Sequence, residues 1–471
     1  MSKELLKLEK TPRVLILGGG FGGFYAAHYL DKTLAADPSV EVTLVSRENF
    51  LLFTPMLHEV AAGDLDVSDI VSPPRQVLKH VEFLEAEVAG IDLNERRVTL
   101  VYGVHRLQKE LFYDHLVIAL GSETNFFKLP GVEKRALTMK SLGDAFYLRN
   151  HALALLEIAS LTEDGAARRA MLTFVVAGGG FAGTETIGAL SDYLRSAKEY
   201  YPALEKDDVR VVLVHPGTVI LPELGESLGR YAQRKLAARN VEIRLETRVT
   251  GYSDQGVELK NGEIIPTMTL VWTAGVAPPG VLESLPCKKE KGRLVVEETL
   301  EVPGFPGVWA LGDCAWIPNP QTGGPHPPTA QHALREGLHC AKNIVATIQG
   351  RPKKKFAFAT LGQLAAIGHR TGVAEIMGVH FSGLIAWWLW RTIYLAKLPR
   401  LEKKVRVSLR WTLELLFSKD IAQYVTLAGL ERLERRIEYL RHHPMIAVQA
   451  TQTRPPERAL DSQLQRGISK V

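Results

Sequence analysis

TPRVLILGGGFGGFYAAHYL, residues 11–30, returns in recognisable form as LTFVVAGGGFAGTETIGAL, residues 172–190. In each copy, a run of β-branched and apolar residues precedes a glycine cluster, and small and apolar residues at helical spacing follow it. This order predicts a strand, a tight turn and the start of a helix. A second predicted strand follows each copy, at residues 40–46 and 209–215, and completes a βαβ core. The repeat therefore predicts an α/β chain with two Rossmann-like dinucleotide-binding domains.

Both copies carry the spacing GxGxxG between the predicted strand and helix. The first glycine of such a motif allows the tight turn, the second lets the backbone approach a pyrophosphate, and the third lets the helix pack closely. The helix N-terminus adds amides and a positive dipole that attract phosphate. Two copies in matching contexts make a merely structural turn the weaker interpretation. The candidate cofactor-binding glycines are Gly18, Gly20 and Gly23, then Gly178, Gly180 and Gly183.

The composition is that of a globular protein, with 46% hydrophobic and 23% charged residues among 471. A formal net charge of +5 on so long a chain is too weak to imply nucleic acid. The three cysteines, Cys287, Cys314 and Cys340, share no metal-ligand spacing, so neither a zinc site nor a disulfide framework is predicted.

The ends of the chain carry weaker signals. Residues 1–10 predict a flexible leader without a secretory signal, and residues 441–471 predict a disordered tail. The longest apolar window, residues 381–395, is shorter than the roughly 20 residues that a spanning helix needs, so no transmembrane helix is predicted.

Further segments fill in the architecture. Two predicted strands that end in glycine turns, at residues 113–125 and 270–278, are expected to cross between domains. Alternating apolar and polar residues predict small antiparallel sheets at 81–100 and 241–258. A strand within residues 304–315, ending in Gly-Asp, is expected to return the chain to the first domain.

Several of these segments and two others form a family pattern. They are LFTPMLHEVAAG at 52–63, LVIALGSETN at 116–125, LVWTAGVAP at 270–278, LGDCA at 311–315 and PPTAQHALREG at 327–337. Together with the glycine motifs, they make the chain resemble the type II NADH dehydrogenases, the single-subunit NADH:quinone oxidoreductases. The resemblance implies FAD as cofactor, NADH or NADPH as co-substrate and a quinone as acceptor. Because no export signal is recognised, the cytoplasmic side of a cell membrane is the expected location, with peripheral attachment and a homodimer as an open alternative.

The resemblance also implies the domain boundaries. The FAD-binding domain would consist of residues 11–125 and 301–376, with an NAD(P)H-binding domain at 126–300 between them. A C-terminal membrane-association module would follow at 377–440.

Site residues carry over from the same resemblance. FAD would lie on the first glycine set and Asp313, and the nicotinamide dinucleotide on the second set and Gly275. Gly121 and Gly312, in the turns after two strands, are further cofactor-binding candidates. Glu185 would orient the nicotinamide amide or relay a proton, whereas the plain alternative is an acid that the helix dipole favours in a first turn.

Two departures concern the acceptor side. Gln331 matches the first glutamine of the quinone-site pattern AQxxxQ, while the second falls at Arg335. His58 and Glu59 stand where the family usually has Tyr-Gln. A titrating histidine beside a flavin would serve proton delivery, although a histidine in such a loop is more often a satisfied polar residue.

Two more departures concern the dinucleotides. The acid expected on the ribose after each second strand is Ser46 in the first domain, where Glu48 would substitute, and His215 in the second. The missing carboxylate at His215 removes a group that repels a 2′-phosphate, so NADPH use stays open.

The C-terminal module is predicted to lie on a membrane surface. A helix over 401–417 would carry Lys403, Arg406 and Arg410 on one side and Val405, Leu409, Leu413 and Leu416 on another. Trp387, Trp388 and Trp390 precede it in an apolar stretch, as in an interfacial segment. The alternatives are that both segments pack on the protein's own core or form a dimer interface.

Two other functions remain open. A sulfide:quinone oxidoreductase has the same fold but needs cysteines beside the flavin, for which the three cysteines are poorly distributed. A redox-signalling flavoprotein would turn over slowly. A disulfide reductase is disfavoured, because the stretch after Ser46 lacks the CxxxxC pair that such enzymes place there.

Overall fold

The computed structural model describes residues 11–37, 39–205 and 208–425. The described residues divide into a large compact unit, within 11–101 and 109–424, and a second unit of which 102–108 and 425 are described. The described part of the second unit is mainly the turn at 102–108. The predicted leader at 1–10 and tail at 441–471 lie outside the described residues.

The described residues contain 26 strands. The first half contains β1 Arg13–Leu17, β2 Glu41–Ser46, β3 Leu51–Leu52, β4 Val71–Ser72, β5 Glu82–Glu85, β6 Glu87–Asp92, β7 Arg97–Tyr102, β8 Leu107–Phe112, β9 His115–Ile118, β10 Glu123–Thr124, β11 Leu137–Thr138, β12 Thr173–Ala177 and β13 Arg210–Val214. The second half contains β14 Val241–Arg244, β15 Val249–Ser253, β16 Gly256–Leu259, β17 Ile264–Ile265, β18 Thr269–Trp272, β19 Val276–Ala277, β20 Lys289–Glu290, β21 Arg293–Val295, β22 Val308–Ala310, β23 Ala315–Trp316, β24 Gly362–Ala366, β25 Gly372–Ile376 and β26 Val379–Ser382.

The helices lie mainly between these strands and after them. They are α1 Phe21–Thr33, α2 Leu57–Ala61, α3 Pro74–Val77, α4 Val132–Arg135, α5 Leu142–Leu161, α6 Gly165–Met171, α7 Phe181–Lys198, α8 Gly225–Ala237, α9 Ala330–Ile348, α10 Gly383–Lys397 and α11 Leu401–Glu414. Short 3₁₀ turns cover Thr54–Met56, Pro222–Leu224, Gly280–Leu282 and Gly312–Cys314.

Two five-stranded parallel sheets carry the repeat. The first sheet has the order β22-β9-β1-β2-β5, and the second has the order β11-β18-β12-β13-β14. In both, the strand before the glycine motif is central. A parallel sheet is covered by helices on both faces, which explains why β1 and β12 are almost wholly apolar. The predicted α/β fold with two Rossmann-like units is confirmed.

The two segments that were predicted to connect the domains, 113–125 and 270–278, pair with each other. β10 pairs antiparallel with β19, so that Glu123 is opposite Ala277 and Thr124 is opposite Val276. β22 joins the first sheet beside β9, and the chain returns there as expected.

The alternating segments at 81–100 and 241–258 are antiparallel only in part. β5 and β14, the first strand of each segment, add in parallel to β2 and β13 at the edges of the two sheets. Antiparallel pairing begins with β6 and β7, and with β15 and β16. The prediction was wrong for β5 and β14 because an edge strand is only partly covered and can show the same alternation as a solvated antiparallel strand.

The C-terminal part consists of the antiparallel sheet β24-β25-β26 followed by α10 and α11. Pairing of β25 with β26 continues across residue 376, where the sequence predicted a domain boundary. α10 buries Ala386, Trp387 and Trp390, but it leaves Leu384 and Trp388 exposed. In the described ranges, no helix is both long and apolar enough to cross a membrane.

α11 is amphipathic, but apolar side chains lie on both its buried side and its exposed side. Val407 and Trp411 are buried against the body of the protein. The predicted apolar row Val405, Leu409, Leu413 and Leu416 is exposed, and Leu401 extends it, although Arg406 and Thr412 are exposed on the same helix.

The predicted basic face of α11 is largely engaged with the protein itself. Lys403 is buried and donates to the carbonyl oxygen of Ser68, and Arg410 pairs with Asp69 at 2.6 Å. For these two residues the structure matches the alternative that the helix packs on the protein itself, because long basic side chains can cover apolar surface while their charged ends reach internal partners.

Candidate functional site

The two glycine motifs fold in the same way. Gly18 has φ 106° and Gly178 has φ 115°, both in the region that favours glycine. A Cβ on Gly18 would come within 2.2 Å of the Ala119 carbonyl oxygen. A Cβ on Gly23 would lie 1.9 Å from the Gly18 oxygen, and one on Gly183 would lie 1.8 Å from the Gly178 oxygen. These four glycines therefore allow the turn and the close helix packing.

The middle glycines face open space instead. A Cβ on Gly20 would meet nothing within 4 Å, and one on Gly180 would find its nearest neighbour, Oε1 of Glu223, at 3.6 Å. Gly20 and Gly180 cap α1 and α7 without a side-chain hydrogen bond, so the amides of each first turn point to the same open space. A side-chain-free cradle with helix amides fits a pyrophosphate.

A cavity of about 720 Å³ joins the opening of the first motif to the second Rossmann unit. Its wall brings together six predicted site residues, Gly20, Gly121, Glu185, Gly275, Asp313 and Gln331. The other predicted residues lie off this wall: Gly18, Gly23, Ser46, Glu48, Gly178, Gly180, Gly183, His215 and Gly312.

Asp313 ends a chain of polar contacts that the sequence analysis missed. The Ser122 hydroxyl donates to the Asp313 carboxylate at 2.7 Å and accepts from the Lys140 ammonium at 2.7 Å. Burial lowers the pKa of Lys140, while the charge of Asp313 opposes that shift. All three residues line the cavity. Ser122 lay within the quoted motif at 116–125, but no sequence signal marked Lys140.

Gly312, the residue before Asp313 in the chain, is held in place by Glu336, which was not among the predicted site residues. Its backbone N–H donates to the buried Glu336 carboxyl at 2.8 Å. Burial raises the pKa of Glu336 to about 8, and this hydrogen bond opposes the shift. Helix α9, which carries Glu336, packs on α1 so closely that a Cβ on Gly337 would lie 2.0 Å from the Gly22 oxygen. Glu336 and Gly337 both lie within the sequence motif PPTAQHALREG.

Glu185 stands in the first turns of α7, where it is buried at the cavity wall. Its Oε1 accepts from the Trp390 indole N–H at 3.2 Å and from the Ala366 N–H at 3.1 Å. Burial raises its pKa to about 8, although both hydrogen bonds oppose that shift. If the helix dipole were the only reason for an acid at this position, Glu185 would be exposed and ionised. It is instead buried, with a raised pKa.

His58 lies beside Glu185, with Nδ1 at 3.7 Å from Oε2. Burial lowers the pKa of His58 to about 3, and the charge of Lys419 acts in the same direction. At neutral pH the contact is therefore between a neutral imidazole and a carboxylic acid rather than an ion pair. Glu59, the next residue, points away from the cavity and accepts from Trp411 Nε1 at 3.0 Å.

Gln331 and Arg335 share one face of α9, one turn apart, and both line the cavity. The Gln331 amide donates to the Gly362 carbonyl oxygen at 3.0 Å. Arg335 Nη1 donates to the Gln331 carbonyl oxygen at 2.8 Å, and its guanidinium lies 4.1 Å from the centre of the Phe358 ring.

The residues that replace the expected ribose acids lie at the glycine motifs. The Ser46 hydroxyl accepts from the Glu48 N–H at 3.3 Å, and Ser46 packs against Gly19. His215 accepts from the Gly179 N–H through Nδ1 at 3.0 Å. Burial lowers the pKa of His215, and the charge of Glu223 opposes that shift. A carboxylate at the second motif is thus supplied by Glu223, which the sequence analysis did not single out.

Two parallel Rossmann sheets, two open pyrophosphate cradles and one shared cavity define a flavoprotein that binds two dinucleotides. The family model of the pyridine nucleotide-disulphide oxidoreductases matches residues 12–337, and that of the NDH2 C-terminal domain matches 361–420. The chain belongs to the type II NADH:quinone oxidoreductases within that larger family.

Individual relatives agree with this placement. The type II NADH:quinone oxidoreductase Ndh of Mycobacterium tuberculosis is 31% identical over 86% of this chain and 89% of its own length. The demethylphylloquinone reductase NdbB of Synechocystis is 30% identical over 86% of this chain and 96% of its own. The fold matches the structure of NDH2 from Plasmodium falciparum in complex with NADH with a TM-score of 0.81, at 21% identity, over 88% of this chain and 100% of that one.

Proposed function

We propose that this chain oxidises NADH and reduces a quinone, with FAD in the first Rossmann unit and the nicotinamide dinucleotide in the second. FAD, when bound, supplies a two-electron redox group for the net reaction in which NADH, a proton and a quinone give NAD⁺ and the quinol. The observation that carries the proposal is the shared cavity, because Gly20 of one motif and Glu185 and Gly275 of the other unit lie on its wall. Two substrates that meet one redox group need such a common space.

The first unit supports FAD through residues on both sides of the cradle. Gly20 leaves room for a pyrophosphate, and Asp313, Ser122 and Gly121 stand on the same cavity wall. An acidic side chain that accepts from Ser122 is suited to hold hydroxyl groups of the ribityl chain. We accordingly assign residues 11–125 and 301–360 to FAD and residues 126–300 to NADH, and the sheet β24-β25-β26 to the C-terminal part.

Glu185 and Gln331 are the residues we assign to the chemistry. At neutral pH, Glu185 carries a proton inside the cavity, and a carboxylic acid there can orient an amide or give the proton to a quinone oxygen. Gln331 offers a carbonyl oxygen and an amide that its contact with Gly362 holds in place. Both groups would act by position and hydrogen bonding.

The outer faces of α10 and α11 support attachment to a lipid surface. Trp388 is 60% exposed and Leu409 is 59% exposed, and neighbouring exposed residues are also apolar. The end of α10 contributes Tyr394 and Lys397 to the cavity wall. A quinone dissolved in lipid would therefore meet the cavity beside the apolar surface. Because NADH is a soluble cytoplasmic metabolite, we propose the cytoplasmic side of the cell membrane.

The cysteines weigh against the sulfide:quinone alternative. Cys314 and Cys340 are fully buried, and none of the three cysteines stands on the cavity wall. Burial raises the pKa of the Cys314 thiol to about 12, which suppresses the thiolate needed to carry sulfur.

Steady-state oxidation of NADH by the purified yellow protein tests the proposal, with and without a short-chain quinone. We expect quinone-dependent turnover. If NADH bleaches the flavin but quinone does not accelerate oxidation, the acceptor assignment fails. A slow, long-lived complex with NADH would instead favour a redox-signalling role.

A further inference from the structure

Arg335 brings an unusual charge to the cavity wall. A guanidinium has five N–H donors, and in the described structure this one makes a single hydrogen bond, to the Gln331 carbonyl oxygen, and stacks on Phe358. Burial lowers the pKa of Arg335, although a guanidinium stays charged at any physiological pH. Most of its hydrogen-bonding capacity therefore remains for a ligand.

Lys397, at the end of α10, adds a second cation to the same wall. Its ammonium lies 5.5 Å from the centre of the Tyr394 ring. Burial lowers the pKa of Lys397, and the charge of Arg335 lowers it further. Arg335 and Lys397 thus put two positive charges on the wall of one cavity.

Neither cation has a carboxylate within salt-bridge distance among the residues that the structure describes. Other partly buried cations near the C-terminal helices do: Arg391 pairs with Glu414 at 2.7 Å, and Lys419 pairs with Asp64. Two neighbouring cations in a partly dry cavity are costly unless an anion compensates them.

We propose that Arg335 and Lys397 form a subsite for an anionic oxyacid group at the acceptor end of the cavity. Arg335 bonds to Gln331 and Lys397 ends α10, a helix with exposed apolar residues, so two sources share the required chemistry. One is a quinone that carries an acidic substituent, and the other is the phosphate of a lipid headgroup. The inference deepens the proposed quinone reduction and rests on it for the location of the acceptor.

Binding to the oxidised holoenzyme tests the subsite without turnover. The probes are 1,4-naphthoquinone and 1,4-naphthoquinone-2-sulfonate, titrated at low ionic strength and followed by the shift in flavin absorbance. A charge-assisted contact predicts that the sulfonate binds about tenfold more tightly than the neutral quinone. Arg335→Gln should bring this ratio close to one, whereas Arg335→Lys should keep most of it.

Lys342→Gln is the matched control, because Lys342 is a cation on the same helix that does not line the cavity and lies over Tyr29. Equal affinities of the wild type for both quinones, or a preference that survives Arg335→Gln, would overturn the subsite.

A second arm identifies the source of the anion. Dihexanoyl-phosphatidylglycerol and dihexanoyl-phosphatidylcholine are added as competitors below their micelle concentrations. Displacement of the sulfonate by the anionic lipid alone, lost in Arg335→Gln, assigns the subsite to a headgroup. No displacement assigns it to the quinone. Turnover of NADH with neutral 1,4-naphthoquinone tests the proposed function separately, so a failure there leaves the binding result interpretable.

Discussion

The indole N–H of Trp390 donates a 3.2 Å hydrogen bond to the carboxyl group of Glu185. The first residue belongs to α10 in the C-terminal part, and the second belongs to α7 in the second Rossmann unit. Ala366, from β24, donates to the same oxygen. The C-terminal part therefore closes over the acid at the cavity wall and helps to keep it dry, which is why burial can raise its pKa to about 8.

Glu185→Gln should separate the two roles considered for this acid. If Glu185 gives a proton to the quinone, the wild-type rate of quinone reduction falls as pH rises through about 8, where the acid loses its proton. The variant should lack that limb and turn over about 10²-fold more slowly at neutral pH. Stopped-flow measurement of quinone-driven flavin reoxidation from about pH 6 to about pH 10 checks it.

The NADH half-reaction is the control for this variant. If bleaching of the flavin by NADH slows in Glu185→Gln and the alkaline limb stays, the acid orients the nicotinamide instead of donating a proton. An unchanged pH profile with unchanged bleaching would remove Glu185 from the chemistry.

Gly20→Val and Gly180→Val form a matched pair for the cofactor assignment. Both added side chains start in open space, so both variants should fold. Valine at 20 would fill the first cradle and yield colourless protein, because a side chain there excludes a pyrophosphate. Valine at 180 should leave the protein yellow but slow its reduction by NADH at least tenfold. Absorbance at purification and after NADH addition distinguishes them, and a yellow Gly20→Val protein would reverse the assignment.

Leu409→Glu should weaken attachment to vesicles. The charge is placed on the exposed apolar face of α11, and burying it in a lipid interface costs enough to lower the bound fraction about tenfold. Thr412→Glu, at an exposed polar position of the same helix, should have a smaller effect. Flotation with anionic vesicles measures both variants. If Leu409→Glu halves the molecular mass of the protein in solution and the variant still floats with vesicles, the exposed apolar face of α11 is a dimer interface.

Truncation after residue 377 would be a poorer test of attachment. It removes Trp390 and the buried surface of α10, so the cavity itself would be opened.

Glu223→Gln should relax the choice between NADH and NADPH. Its charge acts on His215, which stands at the position expected for the ribose acid, and would repel a 2′-phosphate there, so the wild type should prefer NADH. In the variant, the ratio of kcat/KM for NADH to kcat/KM for NADPH should fall about fivefold. Glu226→Gln is the control, since Glu226 pairs with Arg230 at 2.6 Å on the surface of α8. If the wild type has equal kcat/KM values for NADH and NADPH, Glu223 does not discriminate between them, and the lack of an acid at position 215 explains the use of both.

The sequence by itself determined both Rossmann units. A glycine motif between a β-branched run and a helical run is a local requirement: at Gly18 and Gly23, any Cβ would collide with backbone only a few residues away or in the adjoining strand. The demand at Gly23 comes from Gly18, five residues away, so the spacing of the motif alone reveals it, whereas the demand at Gly18 comes from Ala119 just beyond β9. The exposed apolar positions of α11 were also predictable, because helical periodicity assigns faces.

Only the tertiary structure decided which of those faces meets which partner. Lys403 and Arg410 were predicted on the basic side of a membrane-associated helix, and the structure shows that they reach Ser68 and Asp69 on a distant part of the chain. β5 was read as antiparallel because its pattern does not say which edge it joins. The pKa of Glu185 and the contact of Lys140 with Ser122 depend on groups brought together from separate elements. Burial and charge are collective properties of packed neighbours, and residue spacing along one segment contains no record of them.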